Sequence, residues 1–138
     1  MKMLSFCDLS SGETPLNTPY PRVWLGDDGI VRIDHGRETP ITLESVCNVH
    51  QQRLALSQKK HPFIVLTTGG VRLTKDAKVF VSSPEVSAIS TAGAIVTTSL
   101  ITRHFAQMFL RYYRTAHPLQ IFATEAEAVA WLKDFVHP

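Results

Sequence analysis

The sequence predicts an α/β domain: a mixed, mostly parallel sheet of about five strands that opens with a β-hairpin and carries four helices. Three observations lead there. The C-terminal stretch Leu119-Gln-Ile-Phe122 is a short apolar run that gives way to a helix at Thr124. Phe63-Ile-Val-Leu66 is a continuous apolar run, the mark of a strand covered on both faces. Between such runs lie segments with helical spacing, and strand–helix alternation implies a parallel core with right-handed crossovers.

In chain order, residues 1–21 hold Ser10-Ser-Gly-Glu-Thr14 and then Pro15, Pro19 and Pro21, which predicts a loose arm. Residues 22–138 form the single domain. Residues 22–25 and 30–34 flank Gly26-Asp-Asp-Gly29, a hairpin signal. Val31 and Ile33 alternate with Arg32 and Asp34, so one face of the hairpin stays wet. A helix starts after Thr42, its cap. Glu44 suits the positive first turn, and Ile41 can staple onto Val46. Leu43, Val46, Cys47, His50 and Leu54 are expected on its inner face, and Gln58-Lys-Lys-His-Pro62 ends it.

Residues 74–82 fit a short helix capped by Thr74, with Ala77, Phe80 and Val81 inward. They also fit a strand, because Val79-Phe-Val81 is β-prone. The alternation elsewhere favours the helix. Residues 89–96 read as a buried strand of small residues. Thr98 or Ser99 caps the longest helix, roughly 99–114, whose broad apolar face is Leu100, Ile101, Phe105, Met108, Phe109 and Tyr112. In the last helix Thr124 and Glu127 have capping-box spacing, and Ala128, Trp131, Leu132 and Phe135 share a face, with Trp131 expected as a core anchor.

Composition narrows the function classes. A chain of 138 residues with 44% hydrophobic and 19% charged residues has the make-up of one globular domain. A formal net charge of +2 is small for a nucleic-acid binder, so no nucleic-acid partner is expected. The apolar run around Leu4–Cys7 is too short for a signal h-region and stops at Asp8, Phe6 argues against a lipoprotein reading of Cys7, and no run suits a membrane span. Cys7 and Cys47 have no paired spacing, which suits a reducing cytoplasm.

The string Arg22-Val-Trp-Leu-Gly-Asp-Asp-Gly-Ile-Val-Arg32, the capped Ile41-Thr-Leu-Glu44 helix start and the ending Phe122-Ala-Thr-Glu-Ala-Glu-Ala-Val-Ala-Trp-Leu132 resemble an uncharacterised branch of the STAS-like domains. These are small bacterial α/β domains similar to anti-sigma-factor antagonists. The resemblance covers roughly residues 20–136. It implies a regulatory domain in which a serine at the helix start after the third strand is phosphorylated. Here that start is Leu73-Thr74-Lys75-Asp76-Ala77, and the family's Asp-Ser-Ser-Gly pattern is missing, so no phosphoswitch is expected at Thr74. Related folds bind lipids or other apolar ligands, which makes a pocket the alternative.

Motifs for chemistry are sparse. The six histidines, His35, His50, His61, His104, His117 and His137, form no metal-ligand spacing, so no metal or cofactor is expected. Gly69-Gly70 lacks the Gly-Lys-Ser/Thr of a phosphate loop, and no Gly-x-Ser-x-Gly elbow occurs. Thr74, Lys75 and Asp76 follow a central strand, where open α/β sheets tend to bind ligands. Arg103 and Arg111 lie two helical turns apart and can form an anion-accepting face, although a solvated helix face is the commoner explanation of such a stripe. Three functions remain: a non-enzymatic regulatory or interaction domain that forms a two-fold homodimer, a carrier or sensor with a pocket under the long helix, and an enzyme of unknown type. An apolar pocket larger than about 300 Å³ favours the carrier.

Overall fold

The computed structural model describes residues 20–36, 40–67 and 72–136. The arm foreseen over residues 1–21 therefore lies almost wholly outside the described residues, as do Gly69-Gly70. Strands β1 (Arg22–Leu25), β2 (Val31–Asp34), β3 (His61–Leu66), β4 (Ser90–Val96) and β5 (Leu119–Phe122) form one sheet in chain order. The first pair is antiparallel and the remaining pairs are parallel. Helices α1 (Leu43–Leu56), α2 (Lys75–Val81) and α4 (Leu100–Tyr112) lie in the crossovers, and α5 (Glu125–Leu132) follows β5. A one-turn helix α3 (Pro84–Ser87), which the sequence reading missed, sits between α2 and β4.

Local signals account for these boundaries. Gly29 turns the hairpin at φ +81°, a backbone state that L-residues avoid. The hydroxyls of Thr42, Thr74, Ser99 and Thr124 each accept a backbone N–H three residues on. At Thr124 the capping box is rearranged: the Glu127 carboxylate accepts from the Thr124 hydroxyl at 3.0 Å. Ile41 and Val46 pack in one buried cluster, as a staple requires. Residues 75–81 are helical, which settles the choice between helix and strand. Helix α1, at 14 residues, is one longer than α4, so the helix near the C-terminal third is not the longest.

The sheet order fixes the layers. Each parallel crossover steps one strand in the same direction, so right-handed connections bring α1, α2, α3 and α4 to one face. That face presents Ile33, Phe63, Val65, Ile95 and Leu119. The opposite face presents Ile64, Ala92 and Ala94, against which α5 packs Ala128 and Leu132. Alanines on β4 let that helix approach closely. Leu132 is completely buried, whereas Trp131 is only half-buried at the rim, with ring contacts to Phe122 and Phe135. The anchor of the last helix is therefore Leu132, one position beyond the expected tryptophan.

Helix α4 departs most from expectation. Its supposed core face is exposed: Leu100 at 82%, Ile101 at 67% and Tyr112 at 70%. Thr102 is its one buried residue. On α1 the inner face carries Val49 and Arg53, and Leu54 points outward.

Replacing Leu132 by alanine leaves a void under the sheet that small neighbours cannot close. Leu132→Ala should lower the unfolding free energy by about 3 kcal/mol or more. Urea unfolding monitored by circular dichroism measures it, and a loss below about 1 kcal/mol contradicts this packing.

Candidate functional site

Under α4 the helical face of the sheet is not filled. A cavity of about 510 Å³ lies between α4 and the strands and reaches α1 and α2. The reason is visible in the helix sequence. Thr102, Ala106, Phe109 and Tyr113 form one seam, and Ile101, Phe105, Met108 and Tyr112 form a second seam one residue earlier. One residue is about 100° of rotation in a helix of 3.6 residues per turn. Thr102, Ala106 and Phe109 line the cavity together with Phe105. Two of those four are too small to reach the sheet, while most of the bulk points outward.

The walls are mainly aliphatic and aromatic: Ile33, Val49, Phe63, Val65, Phe80 and Leu119 are among them. Polar groups gather at the two ends. The outer end holds Thr67, Arg72, Thr74 and Lys78, with Arg72 exposed and Lys78 half-buried. Backbone bonds pin this rim: Ile41 N–H donates to Arg72 O at 2.7 Å, and Thr74 N–H donates to Ile41 O at 3.0 Å.

The inner end holds His50, Arg53 and His117, exposed by 6%, 6% and 5%. The Arg53 guanidinium donates to Ser90 Oγ at 2.9 Å, Ile89 O at 2.8 Å and His61 O at 3.4 Å. It also lies 5.0 Å above the Phe63 ring. Burial lowers its pKa to about 10, so it stays a cation at neutral pH. His117 Nδ1 is 2.8 Å from Ser87 Oγ, and its ring meets the edge of Phe63. Burial, helped by Arg53, pushes His117 down to about 4. The same two causes lower His50, so the 3.4 Å approach of its Nε2 to Glu85 is a contact of a neutral ring rather than an ion pair. His35, on the cavity wall beside Ser45, is also held down to about 4 by burial, against a smaller opposing pull from Asp34.

Of the ligand candidates Thr74, Lys75, Asp76, Arg103 and Arg111, only Thr74 reaches this cavity, whereas His35, His50 and His117, weighed in the sequence as metal ligands, line it. Its hydroxyl caps α2 and donates to Asp76 Oδ1 at 2.5 Å. Lys75 and Asp76 are exposed on the first turn of α2. Arg103 and Arg111 are exposed on the outer side of α4 and do not touch the cavity. The sequence reading missed Arg53 and His117. Arg53 looked like an ordinary basic residue in a last helical turn, although its spacing from Val46, Val49 and His50 places all four on one face. His117 stands in a loop before β5 and carries no local signal. No group of three histidine, cysteine or acidic residues able to hold a metal occurs among the described residues.

The family described as "Domain of unknown function (DUF7793)" matches residues 23–136. The chain belongs to this family. No curated protein and no solved structure matches it. In this DUF7793 member the matched span includes the whole cavity wall, from Ile33 to Leu119.

Buried neutral histidines make stability sensitive to acid. His35 and His117 titrate at 6.5 when unfolded and at about 4 when folded. Between those values the unfolded chain binds more protons, so stability falls as pH drops from 6.5 towards 4 and is insensitive to these groups above that window. The slope approaches about 1.4 kcal/mol per pH unit for each histidine. Thermal melts of the parent and a His35→Gln, His117→Gln variant should converge as pH falls from 7 to 4.5. Parallel Tm curves contradict the assignment.

Proposed function

We propose that this protein is a binding domain for a small, largely apolar ligand, acting as a carrier or sensor rather than as an enzyme, in a reducing cytoplasm where Cys47 stays a thiol. The observation that carries this reading is the 510 Å³ cavity with its mainly apolar wall. Its volume lies in the range of small-molecule sites, roughly 300–1,000 Å³. The energetics support an occupant. An apolar occupant would remove the cavity wall from water, at roughly 25 cal/mol for each Å² covered. Water fills such a space poorly, because it needs polar partners and the middle of the cavity offers few.

One observation favours a second reading, a regulatory or interaction domain of STAS-like type that pairs with itself. Ile101, Phe105, Met108 and Tyr112 have the 4-3-4 spacing of a coiled-coil seam and are exposed by 67%, 42%, 41% and 70%. Two copies facing each other across a two-fold axis would cover both seams. The readings are compatible, since one uses the inner seam of α4 and the other the outer seam. A mass of twice 15.4 kDa by light scattering is expected for the pair.

The uncharged dye Nile red tests the cavity directly. Its fluorescence should rise and shift to the blue on mixing with the protein. Ala106→Phe places a ring in the cavity from the inner seam of α4 and should reduce dye binding about tenfold or more while circular dichroism is unchanged. A dye response equal in the parent and the Ala106→Phe variant, or no response in either, overturns the pocket reading.

A further inference from the structure

The wall of the cavity contains a cation that has no anion among the described residues. Arg53 is buried, and neither the ion pairs of Arg32 with Asp28 and Glu125 nor the contact of His50 with Glu85, those given among the described residues, includes it. Its hydrogen bonds to Ser90, Ile89 and His61 go to neutral oxygens, and its Nε is buried with no hydrogen-bond partner. A second orphaned atom, His50 Nδ1, belongs to the same end of the same cavity. Buried polar atoms are nearly always satisfied, and a buried charge without a partner is among the most unfavourable things a fold can hold. Both atoms belong to residues that line one end of an apolar cavity, and they leave that end with polar groups the protein itself does not satisfy.

We infer that the ligand is an amphipathic monocarboxylate whose head group is received by Arg53 at the inner end, with its apolar chain running under α4 towards Arg72 and Lys78. This rests on the cavity being a ligand site and adds the chemistry and the direction of the ligand. Three bonds to neutral oxygens already hold the guanidinium, so little ordering remains to be done when a carboxylate arrives. The neutral Ser90 and backbone acceptors leave the positive charge uncompensated, which suits a single negative charge. His50 and His117, held neutral, add no second charge at that end. The capacity of the cavity, about 17 water volumes at roughly 30 Å³ each, suits a chain of twelve carbons with its carboxyl group. Arg72 and Lys78 stand at the exposed end, where they raise the local concentration of anions before entry.

The test compares dodecanoate with dodecan-1-ol, which share a chain and differ at the head, by displacement of Nile red at pH 7.5. The parent protein should prefer the acid by about tenfold or more, the scale of a charge-assisted hydrogen bond in a buried site. Arg53→Met should erase the preference and keep alcohol binding. Because Arg53 also braces the starts of β3 and β4, the parent protein alone supplies a second measurement. Dodecanoate labelled with carbon-13 at the carboxyl should titrate, when bound, at a lower pH than the free acid. Its terminal methyl should show nuclear Overhauser contacts to Leu73 or Val81 and not to the His117 ring. Equal binding of acid and alcohol overturns the carboxylate anchor and leaves the apolar pocket standing. A bound carboxyl that titrates above the free acid, a terminal methyl against His117, or a preference that survives in folded Arg53→Met overturns the anchor in the same way. Failure of Nile red, the alcohol and the acid alike overturns both the anchor and the pocket.

Discussion

Everything on the helical side of this domain follows from a sheet whose five strands lie in chain order. Such an order sends every right-handed crossover to the same face, so four helices compete for one side and α5 alone has the other. The single helix succeeds because β4 offers Ala92 and Ala94 and the helix answers with Ala128 and Leu132. On the crowded side, α1, α2 and α3 close on one another through Val46, Cys47, Ala77, Phe80 and Val86. That cluster draws them together over the early strands. Helix α4 then spans the remaining strands alone, with β5 as its main neighbour in the sheet. The cavity is the space that a single helix with small inward residues leaves over two strands.

Gly93 has a part in shaping that space. A methyl group there would meet Phe63 Cζ at 2.3 Å and Leu119 Cδ1 at 2.6 Å. Both side chains are cavity walls. The glycine therefore lets Phe63 and Leu119 lie back across β4 instead of standing up into the cavity. Phe63 in turn supports the Arg53 guanidinium on its face and the His117 ring on its edge. A glycine inside a strand usually weakens it. Here the loss of a side chain on β4 opens room beside the charged end of the cavity.

Much of the architecture was legible in the sequence, because it is written locally. Thr42, Thr74, Ser99 and Thr124 announce helix starts by a rule that acts over three residues, and all four caps form. The hairpin turn and the apolar run of β3 are equally local. The one-turn helix α3 was missed because four residues carry no periodicity. The pocket under the long helix stood only as the second of three readings, for a different reason. Hydrophobic spacing shows that α4 has an apolar stripe but not which of two seams, about 100° apart, faces the sheet. Arg53 and His117 are 64 positions apart in the sequence and meet only when β3, β4 and β5 are in register. Their polar character argues for the surface, and only the fold turns it into evidence for a site.

The two seams of α4 also explain why a helix should be built against the usual rule of bulk inward. Rotating it by one residue would bring Ile101, Met108 and Tyr112 over the sheet beside Phe105, which already borders the cavity, and fill the cavity with the chain's own side chains. The same rotation would expose Thr102, now among the buried residues, and carry Ala106 and Phe109 away from the sheet. An arrangement with the bulk outside would be favoured by covering both sides, as the proposed ligand on the inner side and the proposed second copy on the outer side would do. Without either, exposed Ile101 and Tyr112 and the uncovered apolar wall of the cavity both oppose it. Occupancy of the cavity and coverage of the outer seam therefore stabilise the same orientation of α4. If both occur, each would raise the affinity of the other by the same factor, the reciprocity that links any two sites biasing one element.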